Sequence, residues 1–123
     1  IAFVEVTDGE LIFAGNRLVQ GTGFVLVEER GTLTLESGLD LSADVQILDG
    51  GTLDNSGTLR SVQPILVESG TIINRSGGTI LGSSLAGGGF ADSSVEVFDQ
   101  AVIINERGAS IVGSELYAIE TSF

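Results

Sequence analysis

Residues 71–83 read TIINRSGGTILGS, and the same phrase returns at residues 102–114 as VIINERGASIVGS. A shorter relative, TLDNSGTLRS, occupies residues 52–61. Each copy places aliphatic residues in short alternating segments and adds an asparagine and a glycine-containing turn. A chain of 123 residues that repeats one phrase in this way is typical of a solenoid, in which each repeat packs on the repeat before it.

Apolar residues recur in three columns along the chain. The first column consists of i, i+2 pairs that are 21, 20, 20, 30 and 22 residues apart: Val4/Val6, Val25/Val27, Val45/Ile47, Ile65/Val67, Val95/Val97 and Tyr117/Ile119. The second column is Leu11, Leu33, Leu53, Ile72 and Ile103. The third is Leu18, Leu39 or Leu41, Leu59, Ile80 and Ile111. Three columns with one period and an alternating pattern predict three short strands per repeat and no helix.

We therefore predict an all-β fold, a right-handed parallel β-helix that occupies residues 1–123 as a single domain. It should contain about five rungs of about 20 residues, each with three short strands. The alternative for short regular strands is an antiparallel sandwich or barrel. Column registration favours the solenoid, because a strand in a sandwich has no reason to copy the strand three places before it. In a solenoid each strand stacks on its own equivalent.

The two ends of the repeat array lack a polar capping element. The pair Tyr117/Ile119 begins a sixth rung, and the sequence stops at Phe123. Uncapped ends expose unpaired backbone and apolar side chains, which favour pairing or aggregation. We therefore expect either a fragment that is truncated within this rung or self-association end to end.

One interval in the first column, from Ile65 to Val95, is 30 residues, which is eight to ten residues longer than its neighbours. The excess falls in residues 82–94, GSSLAGGGFADSS, which predicts a loop inserted between the fourth and fifth rungs. An aromatic side chain on a projecting loop can anchor a partner, so Leu85, Phe90 and Asp92 are candidate interaction residues. The alternative is that Phe90 packs back onto the solenoid and that the glycines only lengthen the connection.

Another row of equivalent residues lies two positions after each member of the second column. Its first two members are apolar and its last three are asparagines: Phe13, Leu35, Asn55, Asn74 and Asn105. Stacked asparagines can bond amide to amide and also serve turn backbone groups, and asparagine tolerates the left-handed conformation of sharp turns. We predict that Asn55, Asn74 and Asn105 form a structural ladder rather than a polar binding row.

Threonines form two further rows on the predicted outer faces. One row contains Thr32, Thr52 and Thr71, and the other contains Thr58, Thr79 and Ser110. Regular outward threonines on a flat solenoid face are typical of ice-binding surfaces. Each row has one threonine per rung rather than paired columns, which favours an ordinary solvated β-face.

Composition excludes several classes of activity. The net charge is −12, from 17 acidic residues against five arginines and no lysine, which argues against nucleic-acid binding and against anionic membranes. No apolar run is long enough to cross a bilayer, so we expect no membrane insertion by this segment. Without histidine, cysteine or lysine, the classical nucleophile systems, zinc sites and P-loop chemistry have no residues to use.

Carboxylates remain as possible catalytic or metal-binding groups. Stacking could bring Glu28 near Asp49, or Asp49 near Glu68, as a glycosidase-like pair. Two clusters of three acidic residues could bind Ca²⁺ weakly at the surface. One cluster is Asp92, Glu96 and Asp99, and the other is Asp44, Asp49 and Asp54. These acidic residues fall at or near predicted turns, where carboxylates are ordinarily solvated. The sequence also contains neither an EF-hand nor a nonapeptide calcium repeat. We therefore predict no catalysis and no cofactor.

The phrases LDNSGTLRS, IINRSGGTILGS and VIINERGASIVGSELYAIE resemble the degenerate Asn-then-Gly repeats of bacterial autotransporter passenger domains and related secreted β-helix adhesins. The resemblance covers about residues 45–121 well and the first 44 residues loosely. It implies a right-handed parallel β-helix outside a Gram-negative cell, with a separate C-terminal barrel as anchor and with activity in inserted domains or loops.

The resemblance also implies a function and a location. We expect a structural or adhesive stalk segment at the bacterial cell surface, whose partner is a host or surface receptor or glycan. The alternatives are a fragment of a carbohydrate-active β-helix enzyme that uses carboxylates, and an ice- or surface-binding solenoid.

Overall fold

The computed structural model describes residues 3–14, 18–19, 23–61, 65–81, 95–98, 100–112 and 119–122. In these ranges the secondary structure consists of sixteen short β-strands, numbered β1 to β16 in chain order. No helix capable of spanning a membrane occurs in the same residues. The prediction of an all-β fold is confirmed for this part of the chain.

The strands form three parallel sheets, A, B and C, which the chain visits in turn. Sheet A contains β1 (Phe3–Thr7), β4 (Phe24–Glu28), β7 (Asp44–Leu48), β10 (Ile65–Glu68), β13 (Val95–Phe98) and β16 (Ile119–Ser122). Sheet B contains β2 (Glu10–Phe13), β5 (Thr32–Leu35), β8 (Thr52–Asn55), β11 (Thr71–Asn74) and β14 (Val102–Asn105). Sheet C contains β3 (Leu18–Val19), β6 (Asp40–Ser42), β9 (Thr58–Arg60), β12 (Thr79–Leu81) and β15 (Ser110–Val112).

Each strand pairs with the strand three places away in the chain, on both sides within a sheet and on one side at its ends, which is the connectivity of a parallel β-solenoid. Three consecutive rungs are described almost without interruption, at residues 24–42, 44–60 and 65–81. Every described strand pair is parallel, so the antiparallel alternative is wrong. Like residues stack on like because the register is the same from rung to rung.

The core is a stack of aliphatic rows inside the solenoid. Burial alternates residue by residue along the strands of the complete rungs, as a sheet with one inner face requires. The fully buried side chains come from all three sheets and include Val27, Leu33, Ile47, Leu53, Leu59, Val67, Ile72 and Ile80. Hydrophobic burial of this kind is the main source of stability in each rung.

Register corrects two of the predicted columns. Leu18 pairs with Asp40, and Val19 pairs with Leu41, so the third column runs through Val19 and Leu41 rather than through Leu18. In the last described strand Ile119 pairs with Val95, the first member of its pair, where the sequence pattern aligned it with the second. Tyr117 lies outside the described residues. In both places two neighbouring apolar residues fit the same period, so periodicity alone could not decide which of them occupies the column position.

Residues 82–94, with Leu85, Phe90 and Asp92, also lie outside the described residues. The strands on the two sides of this segment pair in register in all three sheets: Ile65 with Val95, Thr71 with Val102, and Thr79 with Ser110. The long interval in the sequence is therefore taken up between β12 and β13 without shifting the stack.

The sharp corners do not use the asparagines that we expected. The non-glycine residues with positive φ are Asp8, Glu29, Asp49 and Ser69, with φ between 48° and 57°, and they form a row at the corner between sheets A and B. At the corner between sheets B and C the left-handed conformation falls on Gly38, Gly77 and Gly108. Asn55, Asn74 and Asn105 end strands of sheet B instead. Their role is therefore in hydrogen bonding, not in backbone conformation.

Candidate functional site at the corner between sheets B and C

The structure brings Asn55, Asn74 and Asn105 into one continuous row. They occupy equivalent positions at the ends of β8, β11 and β14. The Nδ2 group of Asn55 donates to Oδ1 of Asn74 at 2.9 Å, and Nδ2 of Asn74 donates to Oδ1 of Asn105 at 2.8 Å. The amide side chains therefore link three successive rungs through short hydrogen bonds.

The same amides bind the backbone of the corner. Asn55 Nδ2 approaches the carbonyl oxygens of Gly57 at 3.1 Å and Thr79 at 3.2 Å, and its Oδ1 accepts from the Gly57 amide at 3.2 Å. Asn74 Nδ2 donates to the Ser110 carbonyl at 2.9 Å. Asn55 and Asn74 are fully buried, and every buried side-chain nitrogen and oxygen atom in the described residues has a hydrogen-bond partner. A buried amide that is fully bonded in this way has no group left for a ligand.

Close packing at the corner depends on a glycine beside the row. A Cβ atom added at Gly78 would lie 2.7 Å from Oδ1 of Asn74 and 2.7 Å from the carbonyl oxygen of Asn55. Both distances are too short for a carbon–oxygen contact. In this rung Asn74 and Gly78 therefore form one physical unit, because the amide of Asn74 occupies space that a side chain at Gly78 would need.

An open groove of about 570 Å³ lies outside this corner. Its lining combines charged groups and hydroxyls: Thr34, Leu35, Glu36, Ser37, Asp54, Ser56, Arg75, Ser76 and Glu106. Its walls come from several successive rungs. The engagement of its charged groups decides whether this open surface can bind a ligand.

The central cation of the groove is Arg75, and it is bonded to carboxylates of both neighbouring rungs. Its Nε and Nη2 atoms each lie 3.0 Å from a carboxylate oxygen of Asp54, and Nη1 lies 3.4 Å from Oε2 of Glu106. The other Glu106 oxygen accepts from the Ser76 amide at 3.1 Å. Hydrogen bonding and the charge of Asp54 raise the pKa of Arg75 above its ordinary value. Sequence reasoning missed this group, although opposite charges one rung apart were a usable signal.

Two further arginines make the same kind of contact between rungs. Arg60 Nε lies 2.9 Å from Oδ1 of Asp40, and its Nη2 lies 3.2 Å from Oδ2, which is a bidentate pair. Arg30 Nε lies 3.2 Å from Oδ1 of Asp8 at a highly exposed position. Such pairs are worth little individually because water screens them. Their common geometry matters more: each one joins a rung to the preceding rung.

The candidate catalytic carboxylates are arranged along sheet A and its corner. Register places Leu48, not Asp49, beside Glu28 and Glu68, and Asp49 belongs to the corner. The pKa of Glu28 is raised, first by a hydrogen bond with the Glu5 carboxyl, then by burial and by the negative charges of Glu5, Glu29 and Asp49. A raised pKa in a row of like charges has an electrostatic cause that requires no catalytic role.

Of the acids proposed for calcium, those in the described residues do not converge. In the described residues no three acidic side chains are placed to hold a metal ion. Asp44 begins β7 and Asp49 follows that strand, whereas Asp54 lies on sheet B and bonds to Arg75. Asp92 and Asp99 lie outside the described residues, and only the backbone of Glu96 is described, in β13.

The two threonine rows are present but short. Thr32, Thr52 and Thr71 are in register on the outer face of sheet B, and the row ends at Val102. On sheet C, Thr58, Thr79 and Ser110 are in register, with Asp40 before them. Each row carries a single hydroxyl per rung, and residues of other types continue it: Val102 on sheet B and Asp40 on sheet C.

No protein-family model, curated protein or solved structure matches this chain at a significant level.

Proposed function

We propose that this chain is a structural or adhesive stalk segment of a secreted β-helix protein at a bacterial cell surface, and that it performs no catalysis. The observation that carries the proposal is the use of the corner side chains. Asn55, Asn74, Arg75 and Asp54, which have the chemistry to bind a ligand, are bonded to neighbouring rungs instead. A surface built in this way holds a stack together and maintains its length.

The proposal includes a right-handed solenoid of about five rungs of about 20 residues, with a sixth rung begun at β16. It is supported by the six, five and five strands of the three parallel sheets. The general preference of parallel connections supports the right-handed choice. The resemblance of the repeats to autotransporter passenger domains supports the secreted location.

The adhesive part of the proposal concerns residues 82–94 and rests on the sequence. An insertion that leaves the flanking strands in register is free to contact a receptor or a glycan without disturbing the stalk. Leu85, Phe90 and Asp92 are the residues that would make this contact.

Incubation of the purified chain with a panel of polysaccharides tests the stalk assignment. We expect no release of reducing ends, because the groove carboxylates are engaged between rungs. Release of reducing ends that is lost in Glu28→Gln or Asp49→Asn would overturn the proposal in favour of a carbohydrate-active fragment. Thermal hysteresis would overturn it in favour of an ice-binding solenoid.

Bead adhesion tests the second part. Beads coated with the chain should bind to receptor-bearing cells or immobilised glycans, and Phe90→Ala should reduce binding severalfold if the insertion is adhesive. Ile12→Ser is a suitable control, because Ile12 is an exposed apolar residue on the sheet surface. Equal losses in the two variants would indicate nonspecific apolar adhesion and would contradict an adhesive insertion.

A further inference from the structure

The outer face of sheet A differs in composition from the outer faces of sheets B and C. In the three complete rungs, the outward positions of sheets B and C carry threonine, serine and charged residues, except for Ile73 and Leu81. Sheet A instead places Leu26, Leu48 and Leu66 on its outer face, and each of them is partly exposed. Its strands FVLVE and ILVE are almost continuously apolar. Parallel strands of this kind are typical of sheets that are covered on both faces.

The three leucines form one group, the leucine patch, around Gln46. Leu26 and Leu66 pair with Gln46 from the two neighbouring rungs, so these three residues share a column. Leu48 lies two residues further along the central strand and therefore faces the same side. The strands that carry the patch have β1 and β13 beyond them, so the patch lies within the stack. All sixteen described strands belong to the three sheets, so none of them lies over this face.

Carboxylates border the leucine patch on the side of the corner between sheets A and B. Glu28 and Glu68 flank Leu48 in its own column, and Glu29 and Asp49 follow at the corner. In the described part of the chain, none of these four carboxylates forms an ion pair with an arginine. At the corner between sheets B and C, by contrast, arginines bond to acids of adjacent rungs. The border of the leucine patch therefore carries uncompensated negative charge, which favours a basic partner.

Charge and shape together select the kind of partner. A second copy of this chain would bring the same acids and a net charge of −12 to the contact, and like charges in contact are unfavourable. The faces of parallel sheets are commonly covered by helices. Leu26 and Leu66 are two strand spacings apart, or about 9.6 Å. Residues i and i+7 on one side of a helix are about 10.5 Å apart, so an apolar helix stripe matches this length.

We propose that the outer face of sheet A is a docking site for a basic amphipathic helix of a second protein. The helix lies across β4, β7 and β10, and its apolar stripe covers the leucine patch. Lysines or arginines along one flank of the helix bind Glu28 and Glu68. The proposal goes beyond the stalk assignment and does not rest on it, because an enzyme or an ice-binding solenoid with this face would bind the same helix.

The test is titration of a fluorescent helical peptide with the full chain, followed by anisotropy. The probe is a peptide of about 14 residues, with leucine at positions i, i+3, i+4 and i+7 and lysine elsewhere. We expect saturable binding that Leu48→Ser weakens by about tenfold, because it removes apolar surface from the centre of the patch. Ile73→Ser is the matched control, since Ile73 is a partly exposed aliphatic residue on the outer face of sheet B. Binding to this variant should change by less than about twofold.

A pair of charge variants separates docking at this face from general attraction to an acidic protein. Glu68→Gln and Glu36→Gln each remove one exposed carboxylate, the first beside the leucine patch and the second at the corner between sheets B and C. At low salt, Glu68→Gln should weaken binding by about threefold and Glu36→Gln by less than about 1.5-fold. A peptide with glutamate in place of every lysine should not bind.

Leu66→Ser replaces Leu48→Ser if the latter fails to fold, as judged by circular dichroism. Absence of binding at millimolar chain, equal losses in Leu48→Ser and Ile73→Ser, or equal losses in the two glutamine variants would each overturn the proposal. Sedimentation provides a further check. A dimer of the chain that Leu48→Ser dissociates would assign the face to a second copy and would also overturn it.

Discussion

Residues 71–81 and 102–112 have closely related sequences and the same strand–corner–strand structure, yet they differ in burial. Ile72, Asn74 and Ile80 are fully buried in the first segment. In the second, Ile103 and Ile111 are only partly buried, and Asn105 is exposed. In the described part of sheets B and C, the first segment has a strand on each side and the second has a strand on one side only.

This difference shows that the repeat phrase specifies a shape and not a contribution to stability. A side chain in a solenoid is covered by its own equivalents above and below it, so the same isoleucine is core in one rung and partly solvated in the next. The comparison yields three predictions, in decreasing order of expected effect.

The largest effect concerns the aliphatic row. Ile72→Ala should lower the free energy of unfolding by about 2–5 kcal/mol, because it leaves a cavity between two rungs. Ile103→Ala should cost about half of that or less, because its side chain is already partly exposed. Urea unfolding curves of the two variants check this prediction. Similar losses would mean that β14 is covered as well as β11.

The amide row should show the same difference on a smaller scale. Asn74→Leu removes the bonds to Asn55, Asn105 and the Ser110 carbonyl and should cost about 1–3 kcal/mol. Asn105→Leu should cost less, because water can satisfy the groups that it leaves. Thermal and urea midpoints measure both. An unchanged midpoint for Asn74→Leu would contradict the structural role of the row.

The opposite end of the stack allows a comparison by charge instead of packing. The pKa of Glu28 is raised above 4.5, chiefly by its hydrogen bond with the Glu5 carboxyl, so the folded chain holds a proton that the unfolded chain releases. The free energy of unfolding should therefore fall as pH rises through the raised pKa, and rise again as pH is lowered towards 4.5. Glu28→Gln removes this dependence and should stabilise the chain most at pH 7.

Melting midpoints of the wild type and Glu28→Gln between pH 4.5 and pH 7 measure this effect, with Glu36→Gln as a control at the other corner. The difference between the wild type and Glu28→Gln should shrink as the pH falls. A difference that is constant with pH would mean that the stabilisation does not come from titration of this carboxyl.

Much of the architecture could be predicted from the spacing of residues. The second column, the asparagine row and the threonine rows could be located from the sequence, because a solenoid converts equal spacing into stacking. Leu18 and Ile119 were assigned to the wrong positions because each has an apolar neighbour that fits the same period. The turns that hold Asp8, Glu29, Asp49 and Ser69 could be located from the sequence. The left-handed conformation could not be assigned to these residues, since each has a glycine one or two places further on that adopts it more readily.

The sequence by itself determined the parallel repeat fold and the residues that stack, because each rung is a local unit and equivalent residues recur at nearly equal spacing along the chain. Only the tertiary structure decided which of those residues are buried and which charges are engaged. The pairing of Arg75 with Asp54 and Glu106, and the burial of Ile72 between Leu53 and Ile103, depend on what lies one rung above and below. Burial and ion pairing could be read only from the stacked rungs, because both require partners that are about 20 or more residues away in the chain.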